Sequence, residues 1–204
     1  MAYAHAICTF GGQFRRMAFI DVDEYLVPRE AKTLQEALLN LPHPNISLPW
    51  TMFGHGGHNA TPPEAAPFAY LERAPFGEER LLNFKCIVDP SEVTCVHPHR
   101  FDTRSHGSIT SNTLNMLCPA KARTGDFVRH DVIQLNHYYL GSKQDMEAKI
   151  NGPDVAGTAH EERKAAILRG AALIEAQPVA DDSAVAFLAR HGIHDTESLR
   201  ARFA

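Results

Sequence analysis

The chain has 204 residues and a net charge of -4, which is enough length for one full hydrophobic core and the wrong charge for a broad nucleic-acid surface. Hydrophobic residues make up 44% and charged residues 22%, as in an ordinary globular protein, and no apolar run approaches the roughly 20 residues that span a bilayer. Residues 1–14 lack a basic segment followed by a long apolar stretch, so no secretory signal is read there and a cytoplasmic location is expected.

In chain order, the residues ahead of Asp21 leave room for one helix, Ala2–Phe10, and the approach to a strand. Residues 17–25 (MAFIDVDEY) start apolar and turn acidic, the pattern of a buried strand that carries its charges out at the C-terminal end. Leu34, Leu38 and Leu41 recur at helical spacing within 32–41, with Thr33 as N-cap and Glu36 completing a capping box. A second strand is expected at 45–53. The Gly-, Pro- and Asn-rich stretch 54–67 reads as a long loop, in which His55 and His58 are expected to be solvated.

Strands return at 68–73, 82–88 and 93–97, the last two as a hairpin about Asp89-Pro90-Ser91-Glu92. Residues 102–125 are polar and weakly patterned. A last strand falls at 132–139 (VIQLNHYY runs from Val132), after which the period becomes helical. Helices are expected over 159–176, from a cap at Asp182 or Ser183 to Gly192, and over 196–203. The pattern predicts an α/β fold: a mixed sheet over 1–152 and a helical extension over 153–204.

Cys8, Cys86, Cys95 and Cys118 lack CxxC spacing, which argues against a zinc knuckle. Cys86 and Cys95 would face each other across the expected hairpin, but a reducing compartment favours four free thiols. Asp21 and Asp23 carry the strongest local signal. On an extended segment their carboxylates point the same way, and such hard oxygen donors suit Mg²⁺ or Mn²⁺ on a diphosphate. The alternative is a solvated strand end with a capping acid.

Two enzyme classes end an apolar strand in Asp-x-Asp. Phosphatases of the haloacid-dehalogenase type would use Asp21 as nucleophile and Asp23 as acid/base, but they continue with a small residue and Thr where this chain has Glu24-Tyr25. The Asp181-Asp182 pair follows a Gln-Pro break rather than an apolar strand, so it reads as a helix N-cap. The run Phe19-Ile20-Asp21-Val22-Asp23-Glu24-Tyr25-Leu26-Val27-Pro28 more closely resembles the metal-binding strand of family-2-like and family-92-like glycosyltransferases. Later segments agree in order: Trp50-Thr51-Met52-Phe53-Gly54, Leu71-Glu72-Arg73, Lys85-Cys86-Ile87-Val88, Val96-His97-Pro98-His99, and His137-Tyr138-Tyr139 with Ser142 and Lys149 beyond.

This resemblance covers residues 17–152 and implies the later portion of a GT-A domain, its metal and acceptor side. It implies a metal-dependent, inverting transfer from a nucleotide-sugar donor to a glycan or other hydroxyl acceptor. Asp21 and Asp23 would hold Mn²⁺ or Mg²⁺, with His137 as third ligand. Trp50 would line the acceptor sugar, and Lys85, His97 and Lys149 would bind substrate. His97 and His99 share a strand face, where they are either packing residues or contacts to phosphate or metal. Glu72 is the candidate base, because inversion needs a carboxylate to take the acceptor proton. Such enzymes place a nucleotide-binding region of roughly one hundred residues ahead of the acidic motif. The chain is therefore expected to be truncated at its N-terminus, and a non-catalytic metal- or glycan-binding remnant is the competing reading.

Overall fold

The computed structural model describes residues 2–152 and 160–203. Its helices are α1 (Ala2–Phe10), α2 (Leu34–Leu38), α3 (Ala66–Ala69), α4 (Lys143–Asn151), α5 (His160–Glu175), α6 (Ser183–Ala189) and α7 (Thr196–Ala201). Its strands are β1 (Met17–Ala18), β2 (Glu24–Pro28), β3 (Asn45–Met52), β4 (Glu72–Arg73), β5 (Phe84–Val88), β6 (Val93–His97), β7 (Arg100–Thr103), β8 (Ile109–Ser111), β9 (Leu117–Pro119), β10 (Ile133–His137) and β11 (Val179–Ala180). The fold is mixed α/β, as expected. The chain packs as two units, Met1–Trp50 with Leu82–Leu135 and Thr51–Leu81 with Asn136–Ala204. The expected boundary at 153 and helix start at 159 fall outside the described residues.

The first unit is organised by β3. The sheet runs β1-β5-β3-β10-β2, antiparallel where β5 meets β1 and β3, while β8 joins β3 in parallel and carries β9. Alternation along β3 sends Ile46 and Leu48 to one face, where they pack with Ala37, Leu41, Ile87, Ile133 and Leu135. Each isoleucine or leucine among them, fully buried, contributes about 1.5–3 kcal/mol. The other face sets Ser47 against Cys86 and Asn45 against Val88, beside a cluster that includes Phe19 and Phe101. Asn45 Nδ2 donates to the Phe101 carbonyl at 2.8 Å, so its buried amide is not left without acceptors.

Several expectations give way to tertiary pairing. The hairpin of 82–88 with 93–97 does not form: β5 lies between β1 and β3, and β6 pairs with β7. Cys86 is buried against Ser47 and Cys95 is exposed opposite Asp102, so the two do not face each other. All four cysteines are thiols. Thiol counting on anaerobically denatured protein is expected to return four, and a count of two would reveal a bridge. The weakly patterned stretch 102–125 holds β8, β9 and the end of β7. The strand expected at 68–73 shrinks to β4, because Pro67 presets the helical φ of the α3 turn just before it. At α2, Thr33 caps the Glu36 N–H as read, but the Glu36 carboxylate takes the N–H of Lys32 rather than that of Thr33.

In the second unit, β4 pairs antiparallel with β11, and Arg73 Nε donates to Asp181 Oδ2 at 2.6 Å. Asp181 Oδ1 also accepts the Ser183 N–H, so the acid read as a helix cap works one residue earlier than the Asp182 cap position. Ser142 and Asp145 form a reciprocal capping box at α4. The Gly-rich loop is fastened there: His58 and Asn59 carbonyls accept from Lys143 and Gln144, and Thr61 Oγ1 donates to Asp145 Oδ1 at 2.7 Å. Gly141 has φ +61, and a Cβ on it would stand 2.9 Å from Asp145, so glycine is required for this junction. His55 is buried rather than solvated, with Nδ1 at 2.9 Å from the Gly141 carbonyl. No helix among the described residues is long and apolar enough to cross a membrane.

Candidate active site

Asp21 and Asp23 do not sit on a strand. The Glu24 N–H donates to the Asp21 carbonyl at 3.1 Å, and the Asp21 N–H donates to Glu24 Oε2 at 2.8 Å. These two bonds close a four-residue turn between β1 and β2, so strand alternation does not set the directions of the two carboxylates. Glu24 is buried, whereas the Asp21 side chain is 50% exposed. The turn is anchored from β5: Lys85 Nζ donates to Asp21 Oδ2 at 2.9 Å and stands 3.8 Å from Glu24 Oε2. The Lys85 side chain is only 4% exposed. Burial pulls its pKa down, but the bond to Asp21 and the charges of Glu24 and Asp21 outweigh it, so the net shift is upward. Burial and the neighbouring Asp23 charge raise the Tyr25 phenol.

Trp50, near the end of β3, places its ring 6.0 Å from Lys85 Nζ and edge-on to His99 at 5.6 Å between centroids. His97 and His99 do not share a strand face. His97 ends β6, while His99 follows Pro98 in the two-residue loop to β7 with φ +59. Proline followed by a positive φ is the pattern of a type II turn, and a histidine there carries strain that glycine would not. Its Nδ1 is buried with no hydrogen-bond partner among the described residues. Burial, then the Lys85 charge, holds His99 below the ordinary histidine range, so the ring is neutral at neutral pH. Arg123 supports the loop from behind, donating Nη1 to Ser47 Oγ at 2.9 Å and to the His99 carbonyl at 3.2 Å.

The remaining sequence-derived candidates belong to the second unit. His137 closes β10, is buried, and meets the Tyr139 ring edge-on at 5.3 Å. Lys149 donates to the Tyr139 carbonyl and lies 4.1 Å from the centre of that ring. Glu72 is exposed on β4 and borders a cleft of about 130 Å³ with Gly54, Gly56, Gly57 and Glu175. In the first unit, then, Asp21, Lys85 and Trp50 come together; His97 turns instead to Asp102, 3.1 Å away.

The model of glycosyltransferase family 92 matches residues 1–150. The chain belongs to glycosyltransferase family 92. It is accordingly a glycosyltransferase, with a donor and an acceptor as substrates. A search of the curated proteins finds no match to it.

Two residues of this family-92 chain stood outside the sequence reading. Glu24 directly follows the Asp-x-Asp, yet it shapes the turn and faces Lys85. The signal available was a third acid directly after Asp-x-Asp. Arg123 sits in the weakly patterned stretch, and nothing in its local sequence marks it; only the sheet brings it to Ser47 and His99.

Proposed function

We propose that this family-92 chain transfers a sugar from a nucleotide-sugar to a hydroxyl acceptor, with inversion and with a divalent cation on the diphosphate. The observation that carries the reading is the acidic turn held by Lys85. Hard carboxylate oxygens on a partly exposed turn fit Mg²⁺ or Mn²⁺. Asp21 already gives one oxygen to Lys85, which puts that ammonium charge beside it, so Asp23 is assigned the larger share of the cation. His137 is assigned as the third ligand. When bound, such a cation offsets charge developing on the departing diphosphate.

The chain's own groups do the rest. Glu72 takes the proton of the acceptor hydroxyl as its oxygen bonds to the anomeric carbon, and the bond from that carbon to the diphosphate oxygen breaks. Support for Glu72 is its exposure on the rim of the Gly54–Glu175 cleft. Trp50 offers an apolar ring face against a sugar, and its edge contact with His99 orients it. Lys85 holds the turn closed through its bond to Asp21 Oδ2, and Lys149 is assigned to the diphosphate.

Calorimetry with nucleoside diphosphates, with and without Mn²⁺, tests the reading. Binding is expected to need the metal, and Asp23→Asn is expected to weaken Mn²⁺ affinity by about tenfold or more. An unchanged manganese titration in Asp23→Asn would sink the assignment. Glu72→Gln is expected to bind the same ligands while transfer slows by at least a factor on the order of 10².

A further inference from the structure

Strand alternation places Cys95 and His97 on one face of β6, and the register sets Asp102 of β7 directly across from Cys95. His97 Nε2 lies 3.1 Å from Asp102 Oδ2, and with Cys95 Sγ the three ligand atoms all fall within 4.8 Å of one another. Asp102 Oδ1 is buried and has no hydrogen-bond partner among the described residues. Cys95 is exposed, so the group is open to solvent on its thiol side. We propose that Cys95, His97 and Asp102 form a metal site of their own, which takes a borderline-soft dication of the zinc type and shares no residue with the acidic turn.

The distances favour this. Bonds of about 2.0–2.3 Å from zinc to nitrogen, oxygen and sulfur put ligand atoms of a tetrahedron about 3.3–3.6 Å apart. The His97–Asp102 pair is already close to that, and Cys95 needs only a side-chain adjustment of about 1 Å to join it. A lone His–Asp hydrogen bond would not require a thiol on the same face. Ligand chemistry separates the two sites: the Cys95 thiolate selects zinc, while the carboxylates of the acidic turn suit magnesium or manganese. Binding releases the Cys95 thiol proton to solvent. Binding at Nε2 moves the neutral ring's proton from Nε2, where it faces Asp102, to Nδ1, so the long contact from Arg100 Nη2 to Nδ1, 3.3 Å, opens. Three protein ligands leave the fourth position to water.

The lack of CxxC spacing argues only against a zinc knuckle. A Cys-x-His on a strand needs a third ligand from a neighbouring strand, and pairing supplies it.

The test is a Co²⁺ titration of the full chain under a non-thiol reductant, followed by displacement with Zn²⁺. A single Co²⁺ is expected to bind with a sulfur-to-cobalt charge-transfer band in the near ultraviolet, and Zn²⁺ should abolish the band. Cys95→Ser should lose the band. Asp102→Asn should weaken Co²⁺ binding about tenfold or more while far-ultraviolet circular dichroism is unchanged. Asp23→Asn and Cys118→Ser should keep the band, which separates this site from the acidic turn and from the other thiols. No band in the unmodified chain, a band that survives Cys95→Ser, or one lost in Cys118→Ser would overturn the proposal. Because Cys95 is exposed, its replacement is expected to leave the metal-free melting temperature unchanged, and that melt is recorded beside the titration.

Discussion

Replacing Lys85 with Met is expected to lower folding stability by about 3–5 kcal/mol, far more than a surface charge would. The Lys85 side chain is 4% exposed and that of Glu24 is 0% exposed, so the substitution leaves a buried carboxylate facing an apolar side chain. The Asp21 N–H still donates to Glu24, but it supplies no charge. A pH signature follows. Lys85 has a raised folded-state pKa, so its contribution is fully present below the ordinary lysine value of 10.5 and is lost as pH rises through the folded value. Lys85→Met should therefore lack that alkaline loss. Trp50 is the sole tryptophan and stands beside Lys85, so urea unfolding followed by its fluorescence reads the site directly. A loss of less than about 1 kcal/mol would place this pair in the surface class and remove the argument for an anchored turn.

Arg73→Met is expected to have the next largest effect, about 3 kcal/mol, and to act on the second unit. The Arg73 and Asp181 side chains are 12% and 6% exposed, and their 2.6 Å contact joins the β4–β11 ladder at its end. Arg73 also lies 3.6 Å from the centre of the half-exposed Phe76 ring, a cation–π contact worth about 0.5–1 kcal/mol. Without the guanidinium, Asp181 keeps the Ser183 N–H but loses its counter-charge. Beyond the stability loss, limited proteolysis near Val179–Ala180 should accelerate, because a two-residue strand has few ladder bonds of its own to hold it. Equal cleavage rates in Arg73→Met and the parent chain would show that the helices after Val179–Ala180 are held by packing alone.

What the sequence determined by itself was local. Short runs rich in apolar, β-branched and aromatic residues marked β3 and β10, because a strand buried on both faces must be apolar or hydrogen-bonded at nearly every position. Capping chemistry marked α2, because an N-cap oxygen and the acid three residues on satisfy backbone donors within one turn. The order of the motifs marked the glycosyltransferase family. Tertiary structure decided which segments became neighbours. The Asp89–Glu92 turn looked like a hairpin corner, yet β5 was taken by β1 and β3, whose apolar faces bury more than a bare two-stranded ribbon can. The Asp-x-Asp looked like strand, yet a buried Lys85 from β5 and the Glu24 carboxylate bent it into a turn. Arg123, His99 and Asp102 carry no periodic signal of their own, so their meeting with Ser47, Trp50 and His97 was invisible until the sheet was assembled. Period and capping act over a few residues, whereas the partners of a buried charge are chosen by desolvation, which depends on everything that packs around it.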